Sequence, residues 1–197
     1  VDWQDEGRVG AFYVEYGQGP LAMSVTYDRA NSCISHMAVE AVDWRRALQT
    51  RILHLTGITP ALTPIARALT QHATDRARDA GIPFSFDVNY RSKLWSEDEA
   101  REVLPQIAHG AEILCCAVRD ARSIWGIQGD IETVCSGLQA IFGARNIGVS
   151  VGAEGAYLYS DGVLHHEAAA PVHVVDRIGA GDGLAAGLLH GWLGGAI

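Results

Sequence analysis

Gly179, Ala180, Gly181 and Asp182 stand together late in the chain, directly ahead of a run of apolar residues with helical spacing. Small residues at a helix start leave its first backbone N–H groups bare, and the helix dipole adds positive charge there, so such a start binds anions. A carboxylate is out of place beside a passively held phosphate, which Asp182 would repel. It makes sense if Asp182 takes the proton of a hydroxyl as that hydroxyl attacks phosphorus, while the amides hold the charge that develops on the transferred group. A tight turn for the glycines and a helix cap for Asp182 are the plain structural alternatives.

The elements that must position this group follow from pattern. RVGAFYVEY and LAMSVTYDRA are β-prone runs separated by GQGP, which predicts a hairpin. From about Val42 strands and helices alternate. RILHLTG, IPFSFDVNY, AEILCCA and NIGVSVG read as strands. TPALTPIARALTQHATDRARDAG reads as a helix ending at Gly81, with Thr59 and Thr63 as candidate caps. Ser96 with Glu99 opens a further helix through a capping box. RDARSIWG and DIETVCSGLQAIFGA are helical, and GAYLYSDG and VLHHEAA add an antiparallel section. Strand–helix alternation predicts an α/β fold, a mostly parallel sheet with helices on both faces. In the closing helix Leu184, Leu188, Leu189 and Trp192 form an apolar stripe. Gly183, Gly187 and Gly191 fall four apart and predict a smooth face packed closely by another element.

Composition narrows the partners. The 197 residues carry a net charge of -8, with 48% hydrophobic and 19% charged residues, as expected of a globular domain. That charge argues against nucleic acid or an acidic membrane surface as the main partner. A local basic pocket can still take a small anion. Cys33, Cys115, Cys116 and Cys135 form no CxxC pair and are expected to be buried, reduced thiols of a cytoplasmic protein. Gly183 to Ile197 is uncharged apart from His190, but it is too short for a membrane span and holds five glycines, so a buried helix is expected. Val1 opens the chain in place of Met and no capping element follows the final helix, so a segment of a longer chain is expected.

Asp176 to Asp182 reads Asp, two further residues, then Gly-Ala-Gly-Asp, and this closely resembles the second signature of the ribokinase/PfkB carbohydrate kinases. The resemblance implies a ribokinase-like fold with a small β-sheet lid, the lid portion in residues 1–40 and an incomplete kinase core in 41–197. It implies Asp182 as catalytic base and the backbone of Gly179, Ala180 and Gly181 as anion hole. Arg177 stands where the family often has Thr or Pro.

TYDRANS, LHLTGITPAL and FDVNYRSKLW are similar to stretches of 2-keto-3-deoxygluconate kinases within that family. The likeness implies that Tyr27 and Arg29 contact the keto-acid end of a sugar acid, and that Arg91 faces the substrate or the transferring phosphate. Arginine forks match carboxylates independently of any family. The alternatives are surface ion pairing for the arginines and cross-strand packing for Tyr27. Asp87 and Asn89 end a strand at the ligand edge of an α/β sheet, lining a pocket or shaping a turn.

VSVGAEGAYLY resembles the family's segment near the nucleotide phosphates and carries Gly152 and Gly155, with Ser150 where the family commonly has Lys. A hairpin with two turn glycines reads equally well. ATP and Mg2+ are implied as cofactors. The family's Asn-x-x-Glu element falls on Ala117, Val118, Arg119 and Asp120, where Ala117 ligates nothing and Asp120 keeps an acid for magnesium or serves as an N-terminal helix Asp. Family members often dimerise through lid strands, so a homodimer is implied.

Two other readings stay open within the resemblance. One is a degenerate, non-catalytic binding module. The other is a kinase for another sugar, such as fructose or 5-dehydro-2-deoxygluconate. A dinucleotide oxidoreductase fails because too few residues follow Asp182 for a ribose-binding strand, and no P-loop or H-E-x-x-H motif occurs.

Overall fold

The structure is a computed structural model that describes residues 3–16, 24–174 and 178–197. The GQGP turn and Asp176–Arg177 of the signature lie outside the described residues. Strands β1 (Ala11–Glu15) and β2 (Ser24–Asp28) pair antiparallel in a separate two-stranded sheet. Pairing of Phe12 with Tyr27 and of Val14 with Val25 puts these four side chains on one face. The chain then passes through two 3-10 turns, Cys33–His36 and Val39–Ala41, and short helix α1 (Trp44–Ala47). A hydrogen bond from Thr63 Oγ1 to the Ser35 carbonyl fastens this passage to the main domain.

The main sheet has six strands in sequence order: β3 (Leu53–Thr56), β4 (Phe84–Asp87), β5 (Ile113–Ala117), β6 (Asn146–Ser150), β7 (Ala156–Ser160) and β8 (Val163–Glu167). β3 to β6 run parallel, and β7 and β8 are added antiparallel. The helices are α2 (Ile58–Leu62), α3 (Pro64–Asp79), α4 (Glu97–Ala108), α5 (Val118–Trp125), α6 (Ile131–Phe142) and α7 (Ala180–Leu193).

The expected single helix up to Gly81 is two helices. Thr63 precedes Pro64, whose ring disfavours helical backbone before it, and Thr63 is extended at φ -157. Its hydroxyl accepts the Ala66 N–H and restarts the helix as a cap. The capping box at Ser96 and Glu99 is present in both directions.

The two sheet faces are covered unequally. Phe84, Phe86, Leu114, Cys116, Ile147 and Val149 point into the larger core, with Leu104, Ile124, Leu138 and Phe142 from the helices. On the other face Ile113 and Cys115 meet α7 through Ala185, Leu188, Leu189 and Trp192. Gly148 makes room for that helix, since a methyl group there would come within 2.4 Å of Leu188 Cδ1.

The glycine face of α7 departs from expectation. A side chain added at Gly183 or Gly187 would meet nothing within 4 Å, so among the described residues no element packs there. The cysteines depart in one place: Cys115, Cys116 and Cys135 are buried, whereas Cys33 is half-buried. Burial pushes the Cys115 thiol up to about 12 and Cys135 to about 11, which makes both inert near neutral pH.

Candidate active site

α7 runs against the direction of the parallel strands. Ala185 is buried in one cluster with Ile113 and Cys115 of β5, Leu188 packs over Gly148 within β6, and Trp192 donates from Nε1 to Glu112 Oε1 at 3.0 Å just before β5 begins. Its N-terminus therefore opens at the carboxyl ends of β4, β5 and β6, the edge where α/β sheets hold ligands. Gly179 is the N-cap, in left-handed backbone at φ 81 that glycine adopts without strain. The first intrahelical bond is Gly183 N–H to the Gly179 carbonyl, which leaves the amides of Ala180, Gly181 and Asp182 at the unpaired start. A side chain at Gly181 would meet nothing, so that approach is open. Asp182 lies in the first turn and is exposed, with Oδ2 turned back toward Gly179.

Asp182 acts electrostatically on two neighbours. Asp87, nearly buried at the end of β4, is pushed up to about 6, first by burial and further by the charges of Asp182 and Asp120. The Asn89 N–H donates to Asp87 Oδ1 at 3.2 Å and Arg91 lies nearby, and both pull the other way. His54 on β3 shares a 2.8 Å hydrogen bond with Ser85 Oγ, and burial lowers its pKa against the opposing pull of Asp182. Asp87, Arg91, Asp120 and Asp182 thus form one charged cluster at the strand ends.

Asp87 shapes the turn that leaves β4. Its carboxylate holds the Asn89 amide and stabilises Asn89 at φ 40, a left-handed value that Asn tolerates. Half-buried Arg91 follows, and the Leu94 N–H closes the turn on the Arg91 carbonyl at 2.9 Å. Gly57 packs the neighbouring turn against this one: a methyl group there would lie 2.2 Å from the Val88 carbonyl oxygen.

The sequence-predicted residues fall into groups. Asp182, Asp87, Asn89, Arg91 and Asp120 share the strand-end edge, and Ser150 closes β6 on it. Tyr27 lies on β2 of the two-stranded sheet and Arg29 directly follows that strand, with the Arg29 guanidinium 4.3 Å from the centre of the Tyr27 ring. Gly155 has a packing reason of its own, since a methyl group there would strike the Glu167 carbonyl at 2.1 Å; Gly152, at φ 62, borders open space. Asp120 is buried in the first turn of α5, where burial raises its pKa and Arg119, 3.3 Å away, opposes the rise.

Among the described residues no three His, Cys, Asp or Glu side chains converge to hold a metal. Asp120 offers magnesium one carboxylate, already engaged by Arg119. Such a donor set suits an ion that arrives on phosphates and keeps most of its waters, not a protein cage.

Sequence reasoning passed over His54 and Lys93. His54 becomes relevant only once the first turn of α7 brings the Asp182 charge within reach of β3. Lys93 carried a signal, a second cation two positions beyond Arg91 in the same short stretch. Its Nζ donates to the Val25 carbonyl at 3.0 Å and lies 5.9 Å from the centre of the Tyr27 ring.

A parallel sheet whose strand ends meet a helix N-terminus, with a small separate sheet, defines a ribokinase-like α/β protein. The chain belongs to the pfkB family of carbohydrate kinases, whose profile matches residues 4–196. It is 35% identical over 187 residues to 2-dehydro-3-deoxygalactonokinase of Haloferax volcanii, covering 92% of this chain and 57% of that protein. It is 33% identical to 2-dehydro-3-deoxygluconokinase of Bacillus subtilis, covering 87% and 53%. The crystal structure of 2-dehydro-3-deoxygluconokinase from Thermotoga maritima superposes with a TM-score of 0.88 at 28% identity, over 95% of this chain and 62% of that one. The chain thus spans between half and two thirds of the length of these relatives. No helix among the described residues is long and apolar enough to cross a membrane.

Proposed function

We propose that the protein, as it stands or within a longer chain, transfers the γ-phosphoryl group of ATP to a hydroxyl of 2-keto-3-deoxygluconate or a closely related sugar acid. The observation that carries this reading is Asp182, exposed in the first turn of a glycine-started helix that opens at the strand-end edge. Asp182 accepts the proton of the attacking hydroxyl, and the amides that follow Gly179 take up negative charge on the transferred group. Ala180 and Gly181 present those amides without a side chain in the way. Placement of the acceptor beside the anion site is itself catalytic, because both reactants are held together.

Tyr27 and Arg29 receive the acid end of the sugar, and Arg91 and Asn89 border the reacting end. Ser150, Gly152 and Gly155 adjoin the nucleotide phosphates. Magnesium, held through Asp120, neutralises phosphate charge when bound. In this reading residues 1–40 form a lid portion over the core of residues 41–197, and the protein is a cytoplasmic homodimer paired through lid strands, without nucleic-acid or membrane partners.

A non-catalytic binding module is the second reading, favoured by Ala117, which supplies no ligand beside Asp120. Phosphorylation of 2-keto-3-deoxygluconate, followed by ADP release with wild type and Asp182→Asn, separates the two. We expect a loss of about 10²–10⁴-fold in kcat for the variant. Equal turnover would end the assignment of Asp182 as base.

A further inference from the structure

We infer that Lys93 is a specificity-determining residue, which with Arg29 forms a cationic clamp for the carboxylate of an acidic sugar. The inference rests on the sugar-acid reading above and adds a residue to it. Lys93 leaves the core just after β4, yet its ammonium reaches the small sheet, bonding the Val25 carbonyl at 3.0 Å. Arg29 and Lys93 lie 4.3 and 5.9 Å from the centre of one ring, that of Tyr27.

Both cations draw on the quadrupole of one ring, which answers only a small part of their charge. Neither cation has an ion-pair partner among the described residues. The adjacent carboxylate, Asp28, is already taken by Arg8 at 2.6 Å. In a chain of net charge -8, two cations without an acid are a local arrangement that an incoming anion completes. The surroundings fit an organic acid, because Tyr27 shares its sheet face with Phe12, Val14 and Val25 and offers apolar surface beside the charges. The turn that carries Lys93 is held by the Leu94-to-Arg91 hydrogen bond and by buried Trp95, so the ammonium is presented from a fixed base. One cation of the clamp thus comes from the small sheet and one from the core.

The test is titration calorimetry of the full chain with 2-keto-3-deoxygluconate and with fructose, for wild type, Lys93→Met and Lys93→Arg. Lys93→Met is expected to weaken binding of the acid about tenfold or more while fructose changes by less than about twofold. Lys93→Arg restores most of the acid affinity. Equal weakening for both sugars, or none for the acid, overturns the clamp. A wild type that binds fructose as well as the acid overturns the sugar-acid reading itself, a result that the Lys93 variants cannot produce.

Discussion

The two edges of the parallel sheet are built from similar residue types and have opposite character. At the amino edge lies a cavity of about 650 Å³ bordered by Arg78, Glu112, Arg145, Asn146, Ser160 and Trp192. Its polar groups answer one another. Ser160 donates to Asn146 Oδ1 at 2.6 Å, Asn146 to the Glu112 carbonyl at 2.9 Å and Trp192 to Glu112 Oε1 at 3.0 Å. Arg78 is spent on the Ile107 and His109 carbonyls. At the carboxyl edge burial, joined by the charges of Asp182 and Asp120, raises the cost of ionising Asp87, and the first amides of α7 stay outside the helix's own bonds. Satisfied polar groups hold a fold together, while like charges kept near one another mark a candidate site. Cavity size alone points to the edge opposite the one we propose.

Substitution at each edge breaks or sharpens that contrast. The largest effect is that of Asp182→Asn on turnover, with little change in urea stability because the side chain is exposed. Asp87→Asn comes next and reads out in stability. The folded chain holds the Asp87 proton up to about pH 6, above the ordinary 3.8, so the contribution of Asp87 to stability is full below about pH 4 and is lost as pH rises through about 6. Asn keeps the acceptor for the Asn89 amide and cannot ionise. The variant should therefore be more stable at pH 7.5 by on the order of 2 kcal/mol, with the advantage gone at pH 4, as measured by urea unfolding at both values.

At the amino edge Trp192→Phe removes one hydrogen bond to a carboxylate. A loss of about 1 kcal/mol in unfolding free energy is expected, with KM for ATP and sugar unchanged. A shift in KM would show that the two edges are not independent. Smallest is Gly187→Ala, which should stabilise by up to about 1 kcal/mol because no described residue packs on that face of α7. Destabilisation would reveal a neighbour on the glycine face.

Much of this was legible in the order of residues. Alternating strands and helices announced the parallel sheet, Ser96 with Glu99 announced α4, and Gly179 to Asp182 marked the helix start, because each is a local signal with a local cause. The break at Thr63 was legible in principle, since the residue before proline resists helical backbone, but the long amphipathic pattern on both sides masked it. The glycine spacing of α7 misled because spacing records what a face permits, not what covers it. Coupling of Asp87 and His54 to Asp182 was out of reach, for it arises only when α7 folds back across β5 and β6 and brings its first turn within electrostatic reach of β3 and β4. Lys93 was hidden similarly: its partners are on β2, 68 residues earlier in the chain.

Gly57 carries a last consequence. Its missing side chain lets the β3–α2 and β4 turns interlock, with the Gly57 N–H bonded to the Asp87 carbonyl at 2.8 Å. In the function proposed above, this interlocked rim bears the reacting groups and has little room to adapt to a new sugar. On that same proposal, retuning of substrate choice, by evolution or in the laboratory, falls instead to the two-stranded sheet and Lys93, outside the interlocked block.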